Sequence, residues 1–235
     1  MHNPLVVSKK QNKMLEEFIR SNFKEAIEIQ SSFDHDQQMV EGVQNESLNV
    51  KMVKDWMRSY GLFQGIKNEI RNEIATVYID FARNNKKIKS VDIQVKFIEL
   101  HEKLKEIQDR KWISATSKLL WCIEPEVVVI YDAFVERTIL ILQCLDEELA
   151  KFPRINNPPN AKKDENGKKM AEHYMNYQNL VNSLFKRNME LIQSLRNQTN
   201  TQYKYEIRIF DKLLWMMGNF KEEFKLNQIT CTLAK

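Results

Sequence analysis

Glycine and proline are scarce in this chain, with 5 of each in 235 residues. So few turn-formers argue against a many-stranded sandwich and favour long helices joined by few connections. Cysteine is scarce too. Cys122, Cys144 and Cys231 are odd in number and show no CxxC spacing, which excludes a disulfide framework and is expected of reduced packing residues in a cytosolic protein. The four histidines, His2, His35, His101 and His173, are scattered, with no HExxH and no Cys/His cluster for zinc. The chain also lacks a GxxxxGK phosphate loop, a GxGxxG turn and a GxSxG elbow, and it has no evident Cys–His nucleophile pair. No apolar run approaches the ~18 residues of a membrane span, and "MHNPLVVSKKQNK" holds no long apolar core of a signal peptide. A soluble, cytoplasmic protein without a membrane partner is expected. A large charge of one sign is missing as well: 36 basic and 32 acidic residues leave +4. That excess does not define a nucleic-acid partner, though a basic face can still form locally.

What is present is a helical pattern. Hydrophobic residues make up 43% and charged residues 29% of the chain, the balance of a globular protein. Met14, Leu15, Phe18, Ile19, Phe23, Ile27 and Phe33 recur at steps of three and four, which predicts an amphipathic helix over 8–33. The polar stretch 34–48 is expected to be a connection, and its "DHD" (34–36) a solvated group rather than a metal site. Helices are predicted over 48–60, ending near Gly61, and over 66–83. Another is predicted after a basic turn at 84–90, capped by Ser90 or Asp92 and carrying Ile93, Phe97, Leu100, Leu104 and Ile107. Residues 112–123 are apolar and helical, Pro125 breaks them, and 133–150 form a further apolar helix. "FPRINNPPNAKKDENGKK" (152–169) is expected to be a loop or insertion. Helices over about 169–196 and 203–218 close the chain, with Gly218 as a C-cap of the last. The sum is an all-α fold of eight to ten helices.

Within 113–137, "ISATSKLLWCIEPEVVVIYDAFVER", the chain resembles the core of the helix-hairpin-helix DNA glycosylase superfamily. That family writes its hairpin roughly as Pro-Gly-x-Gly-x-Lys, followed by an apolar helix, a loop, and Asp-x-x-Val-x-Arg at the next helix start. Here "ISATSK" matches the hairpin end, with Ser114 and Thr116 at the glycine positions and Lys118 at the lysine. "DAFVER" places Asp132, Val135 and Arg137 on the second pattern. Near the C-terminus, "RIFDKLLWMMG" sets Asp211 and Trp215 one turn apart. This is similar to the last helix of archaeal 8-oxoguanine DNA glycosylases, where an Asp and a Trp contact the flipped base. The resemblance implies one glycosylase-like domain over 1–235, a two-lobed helical bundle. One lobe is roughly 48–150 with its hairpin at 110–123, and the other is 1–47 plus 169–235. It also implies a monomer acting on double-stranded DNA with a modified base, an oxidised purine or a hypermodified phage base, without a cofactor.

The roles it implies follow the chemistry of N-glycosidic cleavage. The transition state at C1′ has oxocarbenium character, and a nearby carboxylate stabilises it. Asp132 would supply that carboxylate, at a helix N-terminus that favours negative charge. Lys118 would either attack C1′ as a desolvated amine, giving associated strand cleavage, or serve a phosphate. Asp211, Trp215 and Trp121 would bind the extruded base, with Trp112 and Phe210 as further aromatic candidates. Ser114, Thr116, Ser117 and Arg137 would contact the DNA backbone, and Arg208 and Lys212 could add phosphate contacts. Read from the residues alone, Asp132 is a helix cap, Lys118 a solvated lysine and Trp215 a core aromatic. A non-catalytic helical module for DNA or protein binding, in phage defence for example, is the alternative.

Overall fold

The computed structural model describes residues 4–31, 34–155, 158–159, 167–199, 201 and 203–219. Within them the chain is helical and has no strand. The elements are α1 (Pro4–Ser31), α2 (Asp34–Gln44), α3 (Val50–Ser59), α4 (Asn68–Asn84), a 3-10 turn (Ser90–Asp92), α5 (Ile93–Ile107), α6 (Ile113–Ile123), α7 (Ala133–Leu145), α8 (Glu147–Ala150), α9 (Lys168–Thr199) and α10 (Glu206–Asn219). No helix among the described residues is long and apolar enough to cross a membrane. Half of the predicted 152–169 loop (156–157 and 160–166), and Cys231, lie outside the described residues.

Two compact units share the chain. The first comprises Met1–Ser32, Asp132–Asn157 and Asn176–Lys235; the second comprises Phe33–Tyr131 and Pro158–Met175. The boundary therefore falls at Asp132, not near residue 150, because α7 packs on α10 and α1.

In the first unit, α1 buries Leu15, Phe18, Ile19, Phe23, Ala26 and Ile27, a stripe at helical spacing that packs on α10. The expected helix over 133–150 is interrupted at Asp146, which takes an extended conformation and accepts from Glu148 N (2.9 Å) and Leu149 N (3.0 Å) to cap α8. Its other oxygen accepts from Arg187 of α9 at 2.7 Å. Cys144, on the last turn of α7, is exposed instead of packed, whereas Cys122 in the second unit is buried.

In the second unit, 34–44 is a helix where a connection was expected. Met39, Val40 and Val43 are buried on one face together with Asp36, which is fully enclosed. Asp36 accepts from Trp56 Nε1 at 2.8 Å and from Tyr60 OH at 2.7 and 2.8 Å. A charge on the apolar face hid the helical stripe; its partners, Trp56 near the end of α3 and Tyr60 at its C-cap, are what let it sit there. Asn49 caps α3 by accepting from Met52 N at 3.0 Å. At the other end Gly61, with φ of +64°, lets Leu62 N return to Met57 O at 2.9 Å. Tyr78 of α4 donates to Leu119 O of α6 at 3.0 Å and ties these two helices together. α5 and α6 pack against each other and are joined by residues 108–112.

Candidate functional site

The stretch "ISATSK" is the first turn and a half of α6, not a hairpin end. The turn lies upstream, at 108–112, where Arg110 donates to Gln64 O (2.8 Å) and covers the Trp112 ring. Nearly every residue of α6 is buried, its polar first half included. Ser114, Ser117 and Lys118 turn inward and are hydrogen-bonded there, whereas the Thr116 hydroxyl is buried without a hydrogen-bond partner. Lys118 Nζ donates to Ser114 Oγ at 2.7 Å and to Tyr131 O at 3.0 Å, above the Tyr60 ring. Ser114 Oγ donates to Tyr131 O (3.3 Å), and Ser117 Oγ accepts from Tyr131 N (2.9 Å). Both backbone groups of Tyr131, the residue before Asp132, are thus held from α6. Thr116, Ser117 and Lys118 are 0, 0 and 4% exposed, and Ser117 and Lys118 serve here as internal anchors of Tyr131. Trp121 is also a core residue at 1% exposure, as are Trp112 and Phe210. None of these rings offers an open face.

The predicted site residues of the first unit do come together. Asp132 is half-buried, has extended backbone and accepts from Phe134 N at 2.9 Å, which makes it the N-cap of α7. α10 crosses α7 at very short range. Thr138 Oγ1 donates to Leu214 O (2.9 Å), and Arg137 donates to Gly218 O at 3.4 Å. Gly218 lies inside the helix without a positive φ. It is no C-cap; a Cβ there would stand 2.1 Å from Phe134 O. Close approach, not turn geometry, requires glycine.

This contact sets Phe134 edge-on to Trp215, with ring centroids 5.8 Å apart and an interplanar angle of 85°. Both rings are half-buried. On Trp215 sits the amine of Lys212, 3.6 Å from the ring centroid, and among the described residues it donates to no oxygen. Asp211 and Arg208, both buried, form an ion pair one turn apart on α10. Arg137 is exposed and lies over the Phe134 ring.

Lys212 is the residue the sequence understated. Burial pushes its ammonium down from 10.5 to about 8; the positive charge of Arg208 adds to this, and Asp211 and Asp132 oppose it. Roughly a tenth of the amine is then neutral at pH 7. The available signal was the K-x-x-W spacing, which places a lysine and a tryptophan on one face of the same helix. The shift has a thermodynamic consequence. Because the folded-state pKa lies below the unfolded one, the lysine costs stability fully below about pH 8, and the cost fades as pH rises toward the unfolded value. A gap from 10.5 to about 8 sets an upper bound of about 3 kcal/mol. Lys212→Met is expected to raise the midpoint of denaturant unfolding at pH 6–7, with a gain that shrinks steadily at pH 9 and above.

Chemically, the α7–α10 face combines a carboxylate, an amine able to lose its proton near neutrality, and a partly open aromatic platform. No group of three or more His, Cys, Asp or Glu side chains among the described residues is placed to hold a metal. No family model, curated protein or solved structure matches this chain.

Proposed function

We propose that the protein is a DNA glycosylase that excises a modified base from double-stranded DNA, and that the α7–α10 face is its site. The observation that carries this is the grouping of Asp132, Lys212 and Trp215 within one unit. Cleavage of an N-glycosidic bond calls for a carboxylate beside the developing positive charge at C1′, and Asp132 has one at a helix N-terminus. An extruded base calls for an aromatic surface, and Trp215 and Phe134 give two half-buried rings at right angles. Asp211 is engaged by Arg208, so it reaches a base only by exchanging that partner. Arg137, exposed on α7, is suited to a phosphate. The order of elements also supports membership of the helix-hairpin-helix superfamily. Paired helices joined by a short connection (α5 and α6) are followed by a buried non-helical run and an Asp-capped helix.

The substrate class is an oxidised purine or a hypermodified base such as invading phage DNA carries. Incubation of the protein with duplexes carrying such bases, and with phage genomic DNA, is expected to produce abasic sites on at least one of them. If every such DNA stays intact, the activity is lost as a reading. A non-catalytic helical module for DNA or protein binding then takes its place, and one observation already favours it. Ser114, Thr116, Ser117 and Lys118 face inward, so they do not present the hairpin end to a phosphate.

A further inference from the structure

We propose that Lys212, not Lys118, is the covalent amine of this protein, condensing with the C1′ aldehyde of an abasic deoxyribose to give strand cleavage. The inference rests on the DNA base-excision reading above and deepens it by naming the nucleophile and the species it takes. Two lysines among the described residues, Lys118 and Lys212, are buried, and their surroundings differ. Lys118 Nζ is held as a donor by Ser114 Oγ and Tyr131 O, which occupies the amine and fixes its direction. Lys212 Nζ meets the face of Trp215 and donates to no oxygen among the described residues. Neutralising it therefore breaks no hydrogen bond. It gives up only the attraction between an ammonium and an aromatic face. An amine that is largely buried and can shed its proton at modest cost is the form in which lysine adds to a carbonyl, and Arg208 beside it further disfavours the charge. Asp132 and Asp211 are near enough for their charges to act on the amine, so a proton acceptor belongs to the same site.

The steps balance without a redox partner. The neutral amine of Lys212 adds to the C1′ aldehyde of the ring-opened sugar, and the carbinolamine loses water to form a protonated imine. A carboxylate, Asp132 by position, removes a C2′ proton. The C3′–O3′ bond breaks, and the 3′ phosphate leaves with the bonding pair. Water then hydrolyses the unsaturated imine and returns the free amine. The half-buried Trp215 and Phe134 rings flank the position an extruded sugar would take.

The test uses the whole chain and a labelled duplex in which one base has been removed beforehand, so no excision is required of the protein. With borohydride present, a covalent protein–DNA adduct is expected. Digestion and mass spectrometry should place the reduced sugar on Lys212. Lys212→Arg, which keeps the positive charge, is expected to lower the adduct yield by at least about 100-fold, whereas Lys118→Arg should retain it. The wild-type yield should rise with pH through about 8, where the amine loses its proton. The peptide mapping needs no variant, so it decides the matter even if a substitution unfolds the protein. Absence of an adduct, or an adduct mapped to another amine, overturns the proposal. Base excision without an adduct sinks this inference and leaves the glycosylase; an adduct without excision from any modified base does the reverse.

Discussion

Asp132→Asn is expected to abolish base excision while leaving the fold in place. Asparagine caps a helix as well as aspartate does, so Phe134 N keeps the acceptor it has at 2.9 Å and α7 starts where it did. What disappears is one negative charge at the position where C1′ becomes positive. Removing a single preorganised electrostatic group costs on the order of 10²–10³ in rate, about 3–4 kcal/mol of transition-state stabilisation. Single-turnover excision on the substrate that wild type cleaves best is the measurement, with thermal unfolding run beside it. A loss of that size with an unchanged unfolding midpoint assigns the carboxylate to chemistry. Full activity in the variant means that Asp132 is only a cap. Asp132→Ala separates the two roles further, because it forfeits the cap as well and should cost about 1 kcal/mol of stability. The charge also supports the protonated form of Lys212, so the asparagine variant should move the pH profile of covalent trapping to lower pH.

Gly218→Ala is expected to be the most disruptive small substitution in the first unit, and its sign is the informative part. In a helix interior, glycine to alanine ordinarily stabilises by up to about 1 kcal/mol. Here the new methyl would meet Phe134 O at 2.1 Å, Phe134 C at 2.8 Å and Thr138 Oγ1 at 2.7 Å. Two of these are backbone atoms of α7, which cannot swing aside like the end of a side chain. Relief requires α10 to move off α7, which loosens the Thr138–Leu214 hydrogen bond and the Phe134–Trp215 contact. The cost should exceed the ~1–3 kcal/mol typical of an extra methyl in a packed core. Denaturant unfolding reads it directly, and a neutral or stabilised variant would mean the helices do not approach so closely.

The α1 stripe, the end of α3 at Gly61 and the α6–Pro125–α7 order were legible because each depends on neighbours within one or two turns. α2 was not. Its core face includes Asp36, and the groups that make a carboxylate acceptable there, Trp56 and Tyr60, lie 20 and 24 residues away, in α3 and at its C-cap. Gly218 misled for a related reason. A glycine near a helix end ordinarily signals a cap, and only the neighbouring helix shows that it is needed for proximity. In the candidate site, Asp132, Trp215 and Asp211 could be named from short patterns. The helix over 112–123 was legible, but the inward turn of Ser114, Ser117 and Lys118 was not, since spacing does not show that Tyr131 lies against them. The contrast between Lys118 and Lys212 was hidden as well. Sequence spacing shows which helix face a lysine occupies, but not whether a carbonyl or an aromatic ring waits there.

The interleaving of the two units sets an order on biosynthesis. As the chain leaves the ribosome, everything the second unit needs is present once Met175 is out. The first unit must wait for α10, on which both α1 and α7 pack. Until then Leu15, Phe18, Ile19 and Phe23 of α1, with Ile139 and Leu142 of α7, lack the helix that covers them in the finished protein. A nascent or truncated chain that stops before Glu206 would carry a finished second unit beside two uncovered apolar faces, the kind of species that chaperones retain and proteases remove.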